Sequence, residues 1–176
     1  DSFFIGTRSA SYAVTLDYTR TLFAEPTFTK KYLFGSSAVN QFSFVDTLGD
    51  FAFIDTEGLR SFNAVQQLRN EGRNSAFSLK VAKLFEDKLQ DVKASAAITF
   101  DNYAFFAVST TIGHGILVYD TTLQKVVSFD NLTLDDDATI SPIVQFTRID
   151  SATAHELYAV TRDGKLIKMW SGIKYA

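Results

Sequence analysis

The chain has 176 residues, 46% of them hydrophobic and 21% charged, with a net charge of −3, which is the profile of a globular chain able to bury a sizeable core. It has no Cys, so a disulfide framework and a thiolate metal site are excluded. No cluster of Lys and Arg builds a phosphate-gripping groove, and no apolar run approaches the roughly 18 residues of a membrane-crossing helix.

The first residues, DSFFIGTRS, lack the basic stretch and long apolar core of a signal peptide. The chain starts at Asp1 without a methionine and opens almost directly into a strand, so a piece of a longer polypeptide is expected. Ser2–Ile5 and Tyr12–Leu16 read as strands around a turn rich in Gly, Ser and Thr. A loop containing Pro26 leads to Thr27–Phe34, where Phe28, Tyr32 and Phe34 alternate at period 2. Val39–Val45, Phe51–Ile54 and Leu59–Val65 form a meander, the last two strands joined by the polar turn Asp55, Thr56, Glu57 and Gly58.

The middle differs. Ser78–Leu89 places Leu79, Ala82, Leu84, Phe85 and Leu89 near helical spacing, with Ser78 as N-cap. A helix is expected there, either covering a sheet edge or meeting a partner. Strands return at Ala94–Phe100, Tyr103–Ser109, Gly115–Tyr119 and Lys125–Phe129, with Thr110–His114 as a turn or loop. After the acidic loop holding Asp135, Asp136 and Asp137 come strands at Ile143–Ile149, Leu157–Val160 and Lys165–Trp170.

Four units share one shape: FFIGTRSASYAV, FAFIDTEGLRSF, FFAVSTTIGHGILVY and LYAVTRDGKLIKMW. Each is an aromatic-rich strand, a polar turn and a second apolar strand. Gly58, Gly115 and Gly164 stand late in their turns, where hairpins use positive φ. A spacing of about 50 residues with four short strands per repeat is the pattern of a β-propeller. The fold class expected is therefore all-β, in four-stranded antiparallel blades with one inserted helix. Approximate blades are 1–37, 38–93 with the helix at 78–89, 94–141 and a partial one at 142–176. About three blades do not close a ring. The rival arrangement is an antiparallel sandwich with one helix.

No reaction centre is visible, and no catalytic, cofactor-binding or metal-binding residue is assigned. His114 and His155 read as solvated loop residues, too isolated for zinc. Neither G-x-S-x-G nor a phosphate-binding glycine loop occurs. A carbohydrate-active propeller needs acids projecting into a central channel, whereas Asp46, Asp50, Asp55 and Glu57 cluster in sequence but at turns. The triple at Asp135–Asp137 lacks calcium-loop spacing, and Asn131–Thr133 is a sequon that matters only in a secreted eukaryotic protein.

One family resemblance rests on these residues. Val39–Val65, and within it Asp50–Phe62 (DFAFIDTEGLRSF), resembles a blade of the tail nozzle, or tail tubular, proteins of short-tailed bacteriophages. The segment after it ending near Leu84–Phe85, and Ile98–Asn131 with Val118–Tyr119–Asp120–Thr121 and Phe129, are similar as well. The pattern departs at Asp55 and Phe62, where Ser and Leu are expected. The resemblance implies a structural virion protein and a homo-oligomeric, hexameric ring below the portal. It also implies contacts with other tail and portal-proximal proteins, DNA only as passing cargo, and no catalytic residues. Leu59, Arg60 and Ser61 are then positions of blade packing and turn geometry. The alternatives are a protein-interaction propeller in a cell and a carbohydrate-active propeller.

Overall fold

The computed structural model describes residues 2–7, 10–17, 27–34, 42–47, 49–55, 58–63, 93–110, 113–131 and 141–169. The expected helix at 78–89, Glu57 and Asp135–Asp137 lie outside them. Among the described residues no helix is long and apolar enough to cross a membrane.

The architecture is all-β and blade-like. Among the described residues thirteen strands form four antiparallel meanders, each closed before the next begins. The first sheet is β1 (Ser2–Gly6), β2 (Ser11–Asp17) and β3 (Thr27–Phe34). The second is β4 (Phe44–Asp46), β5 (Phe51–Asp55) and β6 (Gly58–Ser61). The third has four strands, β7 (Lys93–Phe100), β8 (Tyr103–Thr110), β9 (Gly113–Asp120) and β10 (Lys125–Asn131). The fourth is β11 (Ile143–Asp150), β12 (His155–Thr161) and β13 (Leu166–Lys168). A sandwich would pair two large sheets; here small ones are stacked in sequence order.

Period-2 alternation explains the stacking, because successive side chains leave a strand on opposite faces. In β5, Phe53 points to the first sheet, where Leu33 and Ala13 meet it, while Ala52 and Ile54 point to the third. In β8, Ala104, Phe106 and Val108 face the second sheet, and Phe105 and Ala107 face the fourth. The fourth sheet answers with Ile143, Phe146, Leu157 and Ala159. The second and third sheets are thus apolar on both faces, as strands buried on two sides must be. Between sheets the backbones approach most closely at the first strands, β4 by β7 and β7 by β11. The Thr99 hydroxyl donates to the Asp46 carbonyl across the first of these junctions.

The turns also repeat. Thr7, Thr47 and Ser151 follow the first strand of the first, second and fourth sheets. Each donates both its N–H and its hydroxyl to the carbonyl three residues on, at Ala10, Asp50 and Ala154. The third sheet replaces this with a tight turn at Asp101, whose φ is +51°. Thr121, in the β9–β10 connection, reaches back to it with N–H and hydroxyl both 2.8 Å from the Asn102 carbonyl.

Several expectations are corrected. Three residues of the expected turn or loop Thr110–His114 are strand: Thr110 ends β8, and Gly113 and His114 begin β9, while 111–112 lie outside the described residues. Gly58 and Gly164 do have positive φ, +129° and +83°, but Gly115 lies inside β9. It is glycine because a Cβ there would stand 2.5 Å from the ring of Phe129 on β10. The unit FFIGTRSASYAV is out of phase with the others: it spans strands one and two of its sheet, whereas they span strands two and three. Strand β4 is shorter than Val39–Val45 at its described end, starting at Phe44, and β6 stops at Ser61, since Phe62 and Asn63 leave the extended conformation.

Candidate functional site

The acidic hairpin of the second sheet was the densest group of chemistry-bearing residues in the sequence, and its carboxylates turn out to hold the hairpin together. Asp50 accepts from the N–H of Phe51 at 2.7 Å and of Asn63 at 3.0 Å through one oxygen, and from the Ser61 hydroxyl through the other. One carboxylate therefore joins the start of β5 to the end of β6. Asp55 is buried and ion-paired with Arg60, itself only 2% exposed. Both project on the Phe53 side, because Phe53 pairs directly with Arg60 across the ladder. Asp46 is exposed, and only its backbone carbonyl enters the junction described above. Asp50 and Asp55 are thus each tied to partners within their own hairpin.

The three motif positions sort by depth. Leu59 sits in the core between the second and third sheets. Arg60 takes the buried carboxylate, and Ser61 binds Asp50. Asp55, the departure from the resembled pattern, is the partner that allows Arg60 to be buried, since an unpaired guanidinium could not be.

Tyr119 of β9 lies in the same core as Ile54 and Leu59. Burial, then the negative charges of Asp50 and Asp120, push its phenol up to about 12. Asp120 in turn accepts from the N–H groups of Thr122 and Leu123, shaping the β9–β10 turn.

The two histidines differ from expectation. His114 is half-buried on β9, with Nδ1 2.8 Å from the hydroxyl of its cross-strand neighbour Ser109. His155 is exposed but engaged: Nδ1 is 2.6 Å from Asp150 and Nε2 2.9 Å from Asp101. Its pKa is raised, first by the hydrogen bond to Asp101 and then by that to Asp150. Sequence reasoning missed this arrangement. The spacing of 54 residues between Asp101 and His155 carries no local signal. On the outer face of the fourth sheet, Glu156 accepts from the Tyr158 hydroxyl at 2.5 Å and from the Lys168 ammonium. Lys168 and Tyr158 together hold the Glu156 carboxyl below its ordinary range. Among the described residues no group of three or more His, Cys, Asp or Glu could hold a metal ion.

The surface has a second feature. The outward face of the first sheet presents Phe3, Ile5, Phe28 and Tyr32, with Phe28 67% exposed. Tyr12 joins them edge-on to Tyr32, capped by Lys30 3.8 Å above its ring. At the other end of the stack, Ile149 and Leu166 are exposed on the outward face of the fourth sheet. No protein-family model, curated protein or solved structure matches the chain.

Proposed function

We propose that the chain is a structural β-propeller region of a bacteriophage tail nozzle, part of the assembly below the portal through which DNA is ejected. The observation that carries this reading is the exposed apolar outward face of the first sheet, at one end of a stack whose described internal faces are covered. Phe3, Ile5 and Phe28 at this end are what a stack presents when further blades or neighbouring subunits complete it, whereas the other end is mixed, with Ile149 and Leu166 beside the Glu156–Lys168 ion pair. The resemblance of Asp50–Phe62 and Val118–Thr121 to nozzle blades supplies the particular assembly. In this reading the partners are other tail and portal-proximal proteins and further copies in a hexameric ring, DNA passes without being gripped, and the location is the virion.

The same exposed face suits a protein-interaction propeller in a cell, which is the second reading. The carbohydrate-active reading ranks last, because Asp50 and Asp55 are engaged in holding their own hairpin.

Mass spectrometry of purified particles of a phage encoding this sequence tests the proposal. Its peptides are expected in intact virions and absent from heads that lack tails. Peptides confined to the host-cell lysate would remove the nozzle reading and leave the cellular scaffold.

A further inference from the structure

His155 stands where the third and fourth sheets meet. It opens β12, and its ring stacks on Phe100, the last residue of β7, with centroids 4.4 Å apart and planes 14° apart. One ring nitrogen meets Asp150, the last residue of β11, and the other meets Asp101 in the β7–β8 turn. An ionised carboxylate only accepts hydrogen bonds, whereas a neutral imidazole carries one N–H and one bare lone pair. Both contacts can be hydrogen bonds at once only when both nitrogens carry protons. The neutral ring would leave one nitrogen lone pair facing a carboxylate oxygen.

We propose that His155 is a protonation-controlled latch: as imidazolium it ties the β7–β8 turn of the third sheet to the β11–β12 hairpin of the fourth through two hydrogen bonds, and loss of its proton costs one of them and loosens that tie. The apolar packing of Phe105, Ile116, Leu157 and Ala159 beneath it is independent of pH, so the latch sets how tightly this end of the junction is held. It does not decide whether the sheets stack. The inference does not rest on the phage reading.

The charged groups around the ring are few. Asp101 faces it from the third sheet and Asp150 from β11. Arg148 lies 3.0 Å from the other oxygen of Asp150 and holds that carboxylate. Phe100 is neutral. The hydrogen bonds to the two acids raise the His155 pKa above its ordinary 6.5, with desolvation opposing them. The direction follows from linkage: the latch is fully closed below 6.5 and loosens as pH rises through the higher folded value. With the side chain 51% exposed, added salt weakens it.

An NMR titration of the imidazole signals of the whole chain tests this, with H155Q assigning the resonance. The His155 midpoint is expected above that of a histidine peptide in the same buffer. It should move downward in D101N and in D150N. D101N keeps the turn, because Asn accepts the left-handed backbone that Asp101 adopts. Amide exchange at 150–155, corrected for its intrinsic pH dependence, should quicken above the midpoint in the native chain and stay flat in H155Q. A midpoint at or below the peptide value overturns the latch, as does one that neither carboxylate change moves. If H155Q does not fold, the two Asn variants, each of which identifies the His155 signal by its displacement, decide the matter alone.

Discussion

Arg60 shows how much one side chain can depend on its partner. It is buried beside Phe53 and neutralised by Asp55. Arg60→Met leaves a buried carboxylate without its cation and is expected to cost about 3–5 kcal/mol. Replacing both members with apolar residues of similar volume should restore most of that. Urea denaturation of the two single variants and the double variant checks the coupling. Phe53→Ala empties the contact among Leu33, Ala13, Phe44 and Phe62, again at about 3–5 kcal/mol; a measured loss below about 1 kcal/mol would place Phe53 outside the core. Gly115→Ala pushes a methyl group into the Phe129 ring and should destabilise by about 1–3 kcal/mol. Tyr119 offers a spectroscopic check. With its phenol raised from 10.0 to about 12, its contribution to stability is intact below 10 and is lost as pH climbs toward 12. In an absorbance titration one tyrosine should ionise late and together with alkaline unfolding. Of the aromatics in the expected strands, Phe53, Phe105 and Phe106 are core, whereas Phe3, Phe28 and Tyr32 are exposed, and alternation alone does not tell the two groups apart. The burial of Arg60 was not legible either, because a charged residue in a strand reads as solvent-facing until its counter-ion is known.

At the scale of the element, hairpins are the unit the chain is made from. Turn residues and period-2 alternation are local, so strands were found near their true positions wherever both are strong, as in β5, β8 and β11. What misled was glycine. Gly58 and Gly164 serve turns, where positive φ is needed, whereas Gly115 serves a close approach inside a strand. All three look alike in the sequence. The shared strand–turn–strand shape, for its part, does not show that the first unit lies one hairpin earlier in its sheet than the others. The repeated Ser/Thr turn is the better register mark. Thr47→Val removes one hydroxyl bond to Asp50 while keeping the backbone bond. It should cost about 0.5–1.5 kcal/mol, measured by denaturant titration, without changing the sheet.

For the whole molecule, the exposed apolar face of the first sheet is where function is expected to reside. Phe28→Asp alters a side chain that is 67% exposed, so folding stability should change by less than about 0.5 kcal/mol. Self-association, or binding of whatever covers this face, should fall; sedimentation velocity beside a urea titration separates the two effects. The sequence by itself determined that the protein is all-β and where most hairpins turn, because those properties are set by residues adjacent along the chain. Only the tertiary structure decided which face of each strand meets which sheet, that Asp50 and Asp55 are internal clasps, and that His155 is held between two carboxylates. Alternation announces that a strand has two faces but not what lies against either. That depends on the order in which sheets stack, and stacking brings together residues as far apart as Asp101 and His155.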